Sequence, residues 1–311
     1  RIERSVRQKG ITGFYLDSNQ FLGGEGLRFA IDVLKSNSSI EAFSWEVNSC
    51  QSTEDACELV DAVLEHPAIS NVSFMSSFRE GITTYSPVKR LFCGIGSDTL
   101  QYVYLADNGI NTNGDRCIPD FLSANPPLKT LSLRGNRLTD DDALNIAVAL
   151  QSNTNLRFLD LDDNALTEEG KDVMYHQAIV GISPSDLSKL ITVNEVNLNS
   201  VSGANHTCEI IGISRRETFM NNRNKPAKWN RGRKLFCLLA QRHCDDRNMT
   251  QIESEFSEDG MGLLPHVLAC INTYATDYRS SSMSVSNFNL SLLFELARDW
   301  KTPEIYQFTG Q

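Results

Sequence analysis

The pattern L-x-x-L-x-L-x-x-N runs three times through the chain, as LQYVYLADN from Leu100, with Val103 in the second Leu position, LKTLSLRGN from Leu128 and LRFLDLDDN from Leu156, with a period of 28 residues. A period in the twenties describes a supersecondary unit that cannot bury its apolar face alone and must stack on its neighbours. The spacing inside a unit sets its geometry. Leu131 and Leu133 are two apart and share the inner face of a strand, while Thr130, Ser132 and Arg134 point to solvent. Asn136 then turns the chain, and its amide can satisfy backbone groups that the turn leaves unpaired, so stacked units should carry a ladder of such asparagines. After it, DDDALNIAVALQSN places Leu144, Ile146, Val148, Ala149 and Leu150 at helix-compatible spacing behind an acidic first turn. Each unit reads as strand, turn, helix.

These motifs resemble leucine-rich repeats of the ribonuclease-inhibitor-like subclass, in which a full helix lies on the outer surface. The subclass motif N-x-L-T-x-x-G is met by Asn164, Leu166, Thr167 and Gly170, and similarly by Asn108, Ile110 and Gly114; Asp142 stands where Gly is expected after Asn136. The resemblance covers about residues 11–200. It implies an α/β solenoid, a horseshoe with parallel strands on the concave face and helices on the convex face. It does not carry over inhibition of a ribonuclease, because the inhibitor has more repeats and abundant cysteines.

Three degenerate units precede the clear ones: Ile11, Phe14, Leu16 and Asn19; Ile40, Phe43, Trp45 and Asn48; and Ile69, Val72 and Phe74 with Ser77 in the Asn position. Helices are expected over Gly26 to Lys35 and over Glu54 to His66, the latter capped by Ser52 or Thr53. Gly81, Pro87 and two neighbouring threonines predict an irregular return in the third unit. Val193, Val196 and Leu198 offer a seventh strand, with Asn197 and Asn199 outward. The polar stretch from Ser200 to Asn205 then marks a boundary, giving a solenoid of six or seven units over 1–202 and a helical C-terminal capping region over 203–311.

The tail carries a basic run with Arg215, Arg216, Arg223, Lys225, Lys228, Arg231, Arg233, Lys234 and Arg242. Its second half reads as a helix with Leu235, Phe236, Leu238 and Leu239 inward. Two further apolar helices are expected, in GLLPHVLACINTYA and NFNLSLLFELARDW. In HTCEI, NRGRKLF and the ending LLFEL-RDW-KTPE the tail is similar to the C-terminal region of repeat proteins of diatoms and related algae.

With a net charge of -10, the composition argues against wholesale wrapping of nucleic acid. No apolar run approaches the length of a transmembrane helix. The chain begins at Arg1 without an apolar leader, so its targeting information is expected outside this sequence; an intracellular site is favoured, with secretion or organelle targeting open. Sequons at Asn37, Asn71, Asn205, Asn248 and Asn289 keep secretion open. The eight cysteines form no C-x-x-C and are read as reduced thiols, with Cys50 and Cys57 as a candidate pair. Cys237, His243 and Cys244 lack a fourth metal ligand, and neighbours on a helix diverge. No nucleotide-binding, metalloprotease or hydrolase motif is present. Neither an enzyme, a metal nor a cofactor is expected.

The outward strand positions are where chemistry collects. Tyr102, Tyr104, Arg134, Phe158, Asp160 and Asp162 are the candidate centre of a partner site, since tyrosines among carboxylates suit a protein surface or a basic peptide. The expected function is a non-catalytic scaffold or adaptor for another protein. Two alternatives stay open. One is a permanent subunit of a large assembly; the other is nucleic-acid or anionic-surface binding through Arg215, Arg216, Arg223, Lys225, Lys228, Arg231, Arg233 and Lys234.

Overall fold

The computed structural model describes residues 10–19, 24–78, 85–182, 196–213, 219–244, 255 and 269. The chain groups into two compact units, one of Arg1–Ala178 with Thr207–Arg215 and one of Ile179–His206 with Arg216–Gln311. In the first unit seven parallel strands lie side by side in chain order: β1 Gly13–Asp17, β2 Ala42–Glu46, β3 Asn71–Ser73, β4 Tyr102–Tyr104, β5 Thr130–Ser132, β6 Phe158–Asp160 and β7 Glu209–Ile211. Phe14, Phe43, Val72, Val103, Leu131, Leu159 and Ile210 are register partners from strand to strand, and all are buried. Each such side chain contributes about 1.5–3 kcal/mol on full burial.

The turn after each strand repeats as closely as the strand. Ser18, Val47, Ser76, Asp107, Gly135 and Asp163 all have positive φ, between 51° and 66°. Five of them extend the ladder, donating to Glu46 O, Met75 O, Ala106 O, Arg134 O and Asp162 O from Ser18, Val47, Ser76, Asp107 and Gly135 at 2.9–3.0 Å. At 135 the residue is Gly, and a Cβ there would lie 2.0 Å from Asp107 Oδ1, so a larger residue would displace that carboxylate. The following residue is the ladder asparagine. Asn108 Nδ2 donates to Phe74 O and Leu105 O while its Oδ1 accepts from Ser77 N and Phe78 N. Asn136 and Asn164 repeat the arrangement one and two units on. Ser77, in the Asn position of the third unit, uses its hydroxyl to reach Trp45 O, and so replaces one of the two functions of the amide.

The returning segments are helices: α1 Glu25–Ser36, α2 Thr53–Leu64, α3 Tyr85–Cys93, α4 Cys117–Ser123, α5 Asp140–Ser152 and α6 Glu168–Met174, with a 3-10 turn at Ser97–Thr99. Each of these helices packs on the next. Ser52 caps α2, its Oγ accepting from Asp55 N at 3.0 Å. The third return is not irregular throughout, since Tyr85–Cys93 is helical; Pro87 lies in its first turn, where the missing N–H is not needed. Gly81 lies outside the described residues. In α5 Val148 is 43 % exposed, while Ala143, Ile146, Ala147, Ala149 and Leu150 form the buried stripe. Asp142, in place of the expected Gly, is buried and fully engaged: it accepts from Thr112 Oγ1 at 2.5 Å, Thr139 N at 2.8 Å and Thr139 Oγ1 at 3.0 Å.

The seventh strand differs from the expectation. Val193 lies outside the described residues, and Leu198–Gly203 is a helix, α7, capped by Asn197 Oδ1 accepting from Ser200 N at 2.6 Å. Asn197 therefore turns a helix instead of facing outward from a strand. The seventh strand is Glu209–Ile211, beyond residue 202 where the sequence reading ended the repeats. The cysteine reading is corrected as well. Cys93 and Cys117 are disulfide-bonded, whereas Cys50 and Cys57 are free and buried.

In the second unit the described elements are α7 and α8, Ala227–Cys244, which pack together. Leu235, Phe236, Leu238 and Leu239 of α8 are buried as expected. Of the two apolar helices expected after it, Ala269 is helical and the other residues lie outside the described ones, as do Asn248 and Asn289. Among the described residues no helix is long and apolar enough to cross a membrane.

Candidate functional site on the outward strand face

The register of the sheet gathers the outward side chains into rows. One row is Tyr15, Ser44, Ser73, Tyr104, Ser132, Asp160 and Ile211; a second is Asn71, Tyr102, Thr130, Phe158 and Glu209. Tyr102, Tyr104, Phe158 and Asp160 thus stand on β4 and β6 with β5 between them, where Thr130 and Ser132 keep the floor low. Tyr102, Tyr104, Phe158, Asp160 and Asp162 are each half-buried, and Arg134 is exposed. Neighbouring parallel strands are about 4.8 Å apart, so β4 to β6 spans about 10 Å.

The polar contacts on this face are specific. Arg134 forks onto Asp163 Oδ2, through Nε at 3.1 Å and Nη2 at 2.7 Å. That hydrogen bond and the charge of Asp163 hold the guanidinium more firmly protonated still. Asp160 Oδ1 accepts from Asp162 N at 3.1 Å, which fixes the bend after β6. Lys129 Nζ lies 6.0 Å from the Tyr102 ring centroid and donates to Gln101 Oε1 at 2.8 Å. Towards β1, Ser44 Oγ donates to Asp17 Oδ1 at 3.0 Å and Ser73 Oγ to Glu46 Oε1 at 2.5 Å. The face therefore carries carboxylates at both ends of a run of strands, and aromatic side chains between them. Tyr15, 63 % exposed, and Ile211, 40 % exposed, lie on its outermost strands. Sequence reasoning did not include Ile211, because its strand was placed elsewhere.

The basic run is distributed quite differently from a binding surface. Arg215 and Arg216 lie outside the described residues. Arg223, Lys225 and Lys228 are exposed. Arg231 donates through Nε to Ser202 Oγ at 3.0 Å, and Arg233 donates to Met220 O. Lys225 Nζ and Arg233 Cζ lie 5.1 and 5.8 Å from the Trp229 ring centroid. Lys234 is fully buried, its Nζ donating at 2.8 Å to both Ile179 O and Asn205 O. Arg242 is buried against Glu255, with Nη1 to Oε2 at 2.7 Å and Nη2 to Oε1 at 2.5 Å. Much of the run serves to fasten the second unit internally, and Lys234 faces the interior, where an external anion does not reach it. The same burial, reinforced by Lys234, pushes His206 down to about 3.

Among the described residues no group of three or more His, Cys, Asp or Glu is arranged to hold a metal ion. A family model described as Leucine Rich repeat matches residues 124–147 and 152–170, the stretches that contain β5 and β6 with the starts of their helices. Over these two stretches the chain is similar to leucine-rich repeats. Leucine-rich repeat domains generally mediate protein–protein interaction and are generally non-catalytic. No curated protein gives a match to the chain.

Proposed function

We propose that the chain is a non-catalytic scaffold or adaptor whose outward strand face, the concave face of a horseshoe of the ribonuclease-inhibitor-like kind, binds another protein. The observation that carries this reading is the juxtaposition of Tyr102 and Tyr104 on β4 with Phe158 and Asp160 on β6, in register across the small residues of β5, and with Asp162 just after β6. A parallel sheet holds such side chains on a rigid floor, so little ordering entropy opposes binding. Aromatic rings supply contact area and carboxylates steer a basic partner. Arg134 pairs with Asp163, outside the set, so Asp160 and Asp162 remain the steering charges.

The test is comparative capture from a native lysate at low and at high salt. The baits are the unaltered chain, a Y104A/D160K/D162K variant, and a K225E/K228E variant of the exposed end of the basic run. Loss of a salt-sensitive protein partner with the first variant alone supports the reading. Loss with the second variant alone moves the site to the basic run, and a partner that survives high salt with both variants indicates a permanent assembly through other surfaces.

A further inference from the structure

Cys93 ends α3 and Cys117 begins α4, and their sulfurs are joined across a sequence separation of 24 residues. The two halves differ in access, since Cys93 is exposed and Cys117 buried. Cys50, Cys57 and Cys237 are buried free thiols, and burial pushes Cys50 up to about 12 and raises Cys237 as well. Within this disulfide an external thiolate has one open target, Sγ of Cys93. The chain beside it is Gly94-Ile95-Gly96, with Ile95 99 % exposed, an apolar foothold for an approaching protein.

A second fastener lies next to the disulfide. Asp115 Oδ1 accepts from Tyr85 OH at 2.9 Å and from Cys117 N at 2.8 Å, and Oδ2 accepts from Lys89 Nζ at 2.5 Å. Tyr85 and Lys89 belong to α3, so this cluster ties α3 to the start of α4 independently of the covalent bond. The Lys89 and Cys117 hydrogen bonds hold the Asp115 carboxyl below the usual carboxylate range, which keeps it ionised in its clamping form. Two sulfurs held near each other in this way re-form their bond at high effective concentration.

We propose that Cys93–Cys117 is a reversible redox site for a dithiol reductant, with Cys93 as the attacked sulfur and the Tyr85–Asp115–Lys89 cluster positioning the pair for re-oxidation. In the forward direction one thiolate of the dithiol bonds to Sγ of Cys93 as the Cys93–Cys117 bond breaks, and Cys117 leaves as a thiolate that takes a proton from water. The second thiol of the reductant, deprotonated, then attacks the mixed disulfide. Cys93 leaves as a thiolate and is protonated in turn; the reductant ends as its disulfide, and two electrons have passed to the cysteine pair. The loop closed by the bond contains β4, so the redox state reaches the strand that carries Tyr102 and Tyr104.

The full-length chain is equilibrated in mixtures of reduced and oxidised dithiothreitol, free thiols are alkylated, and each cysteine is read by peptide mass spectrometry. Cys93 and Cys117 should change state together and return when the reductant is removed, while the buried Cys50, Cys57 and Cys237 stay unalkylated until the chain unfolds. Oxidised glutathione should modify Cys93 in C117S about tenfold faster than Cys117 in C93S, following exposure. D115N should shift the thiol–disulfide equilibrium constant about threefold towards the dithiol, a readout that a purely structural role leaves unchanged. Alkylation of Cys93 and Cys117 independently of each other at every poise would overturn the proposal, as would equal glutathionylation of the two single variants.

Discussion

Replacing Asn136 by alanine tests what holds one repeat on the next. Asn136 is buried, and its Oδ1 accepts from Asn108 N at 3.2 Å and Ile110 N at 3.0 Å, while Nδ2 donates to Leu105 O at 3.0 Å and Leu133 O at 2.8 Å. The two carbonyls keep a partner without it, because Asn108 Nδ2 also reaches Leu105 O and Asn164 Nδ2 also reaches Leu133 O. The two amide donors do not have that reserve. Each buried donor left unmade costs about 1–3 kcal/mol, so N136A should destabilise the repeat unit by about 4 kcal/mol. The comparison is N155A, whose exposed side chain bonds Asn125 O and Pro126 O at 3.0 Å and whose loss should cost under about 1 kcal/mol. Urea unfolding followed by far-UV circular dichroism measures both. In a chain of stacked repeats N136A should also broaden the transition, as units on either side of the break uncouple. If N136A and N155A unfold within about 0.5 kcal/mol of each other, the reasoning that buried amides close these turns is refuted.

Further outcomes follow from other contacts. Val47 is β-branched yet sits at φ 54°, so V47N or V47G should stabilise the chain by about 1 kcal/mol in the same urea assay. R242A leaves the buried Glu255 carboxylate without its counter-charge, with only Leu198 N donating to Oε1 at 3.2 Å among the described contacts, and should cost about 3–5 kcal/mol, whereas the double change R242M/E255L should recover most of it. Reduction of Cys93–Cys117 removes a cross-link of 24 residues' separation, and should lower stability by about 3.5 kcal/mol on the chain-entropy account. His206, driven down to about 3 by burial and then by Lys234, stays neutral in the folded state while its unfolded counterpart takes up a proton below about 6.5. Its contribution to stability is therefore complete above about 6.5 and falls away as pH drops towards 3; H206Q should flatten the wild-type pH dependence in that window by up to about 1.4 kcal/mol per pH unit.

The legibility of the fold in the sequence follows the regularity of its spacing. Leu100, Leu128 and Leu156 recur every 28 residues because each unit must present the same buried row, and Asn108, Asn136 and Asn164 recur with them because each turn must close the same backbone groups. Aromatic substitutes at Phe14, Phe43 and Phe74 kept the spacing, and their strands formed where expected. β7 was hidden for a physical reason. Its inner residue Ile210 pairs with Leu159, but the next inner position is occupied by Gly212, at φ 87° and so close to Leu161 and Asp162 that a Cβ would lie 2.4 Å from Asp162 N. A pattern search for Leu has nothing to find there. Asn197, read as an outward strand residue, carries instead the N-cap signal of a helix, completed by Ser200. The outward rows at Tyr104 and Asp160 could be read from alternation alone. The burial of Lys234 and Arg242 could not, because charge in a sequence does not show which carbonyl or carboxylate will receive it. Nor does a list of cysteines reveal that Cys93 meets Cys117, since their approach depends on the stacking of α3 on α4.

The measurement that bears most directly on the proposed strand-face site is the affinity of a captured protein partner for the unaltered chain and for D160K/D162K, at two salt concentrations, with thermal unfolding of both proteins alongside. The account predicts unchanged unfolding, affinity reduced at least tenfold by the charge reversal, and a wild-type affinity that falls as salt rises. Equal affinity of the two proteins at both salt concentrations, with both folded, would contradict it.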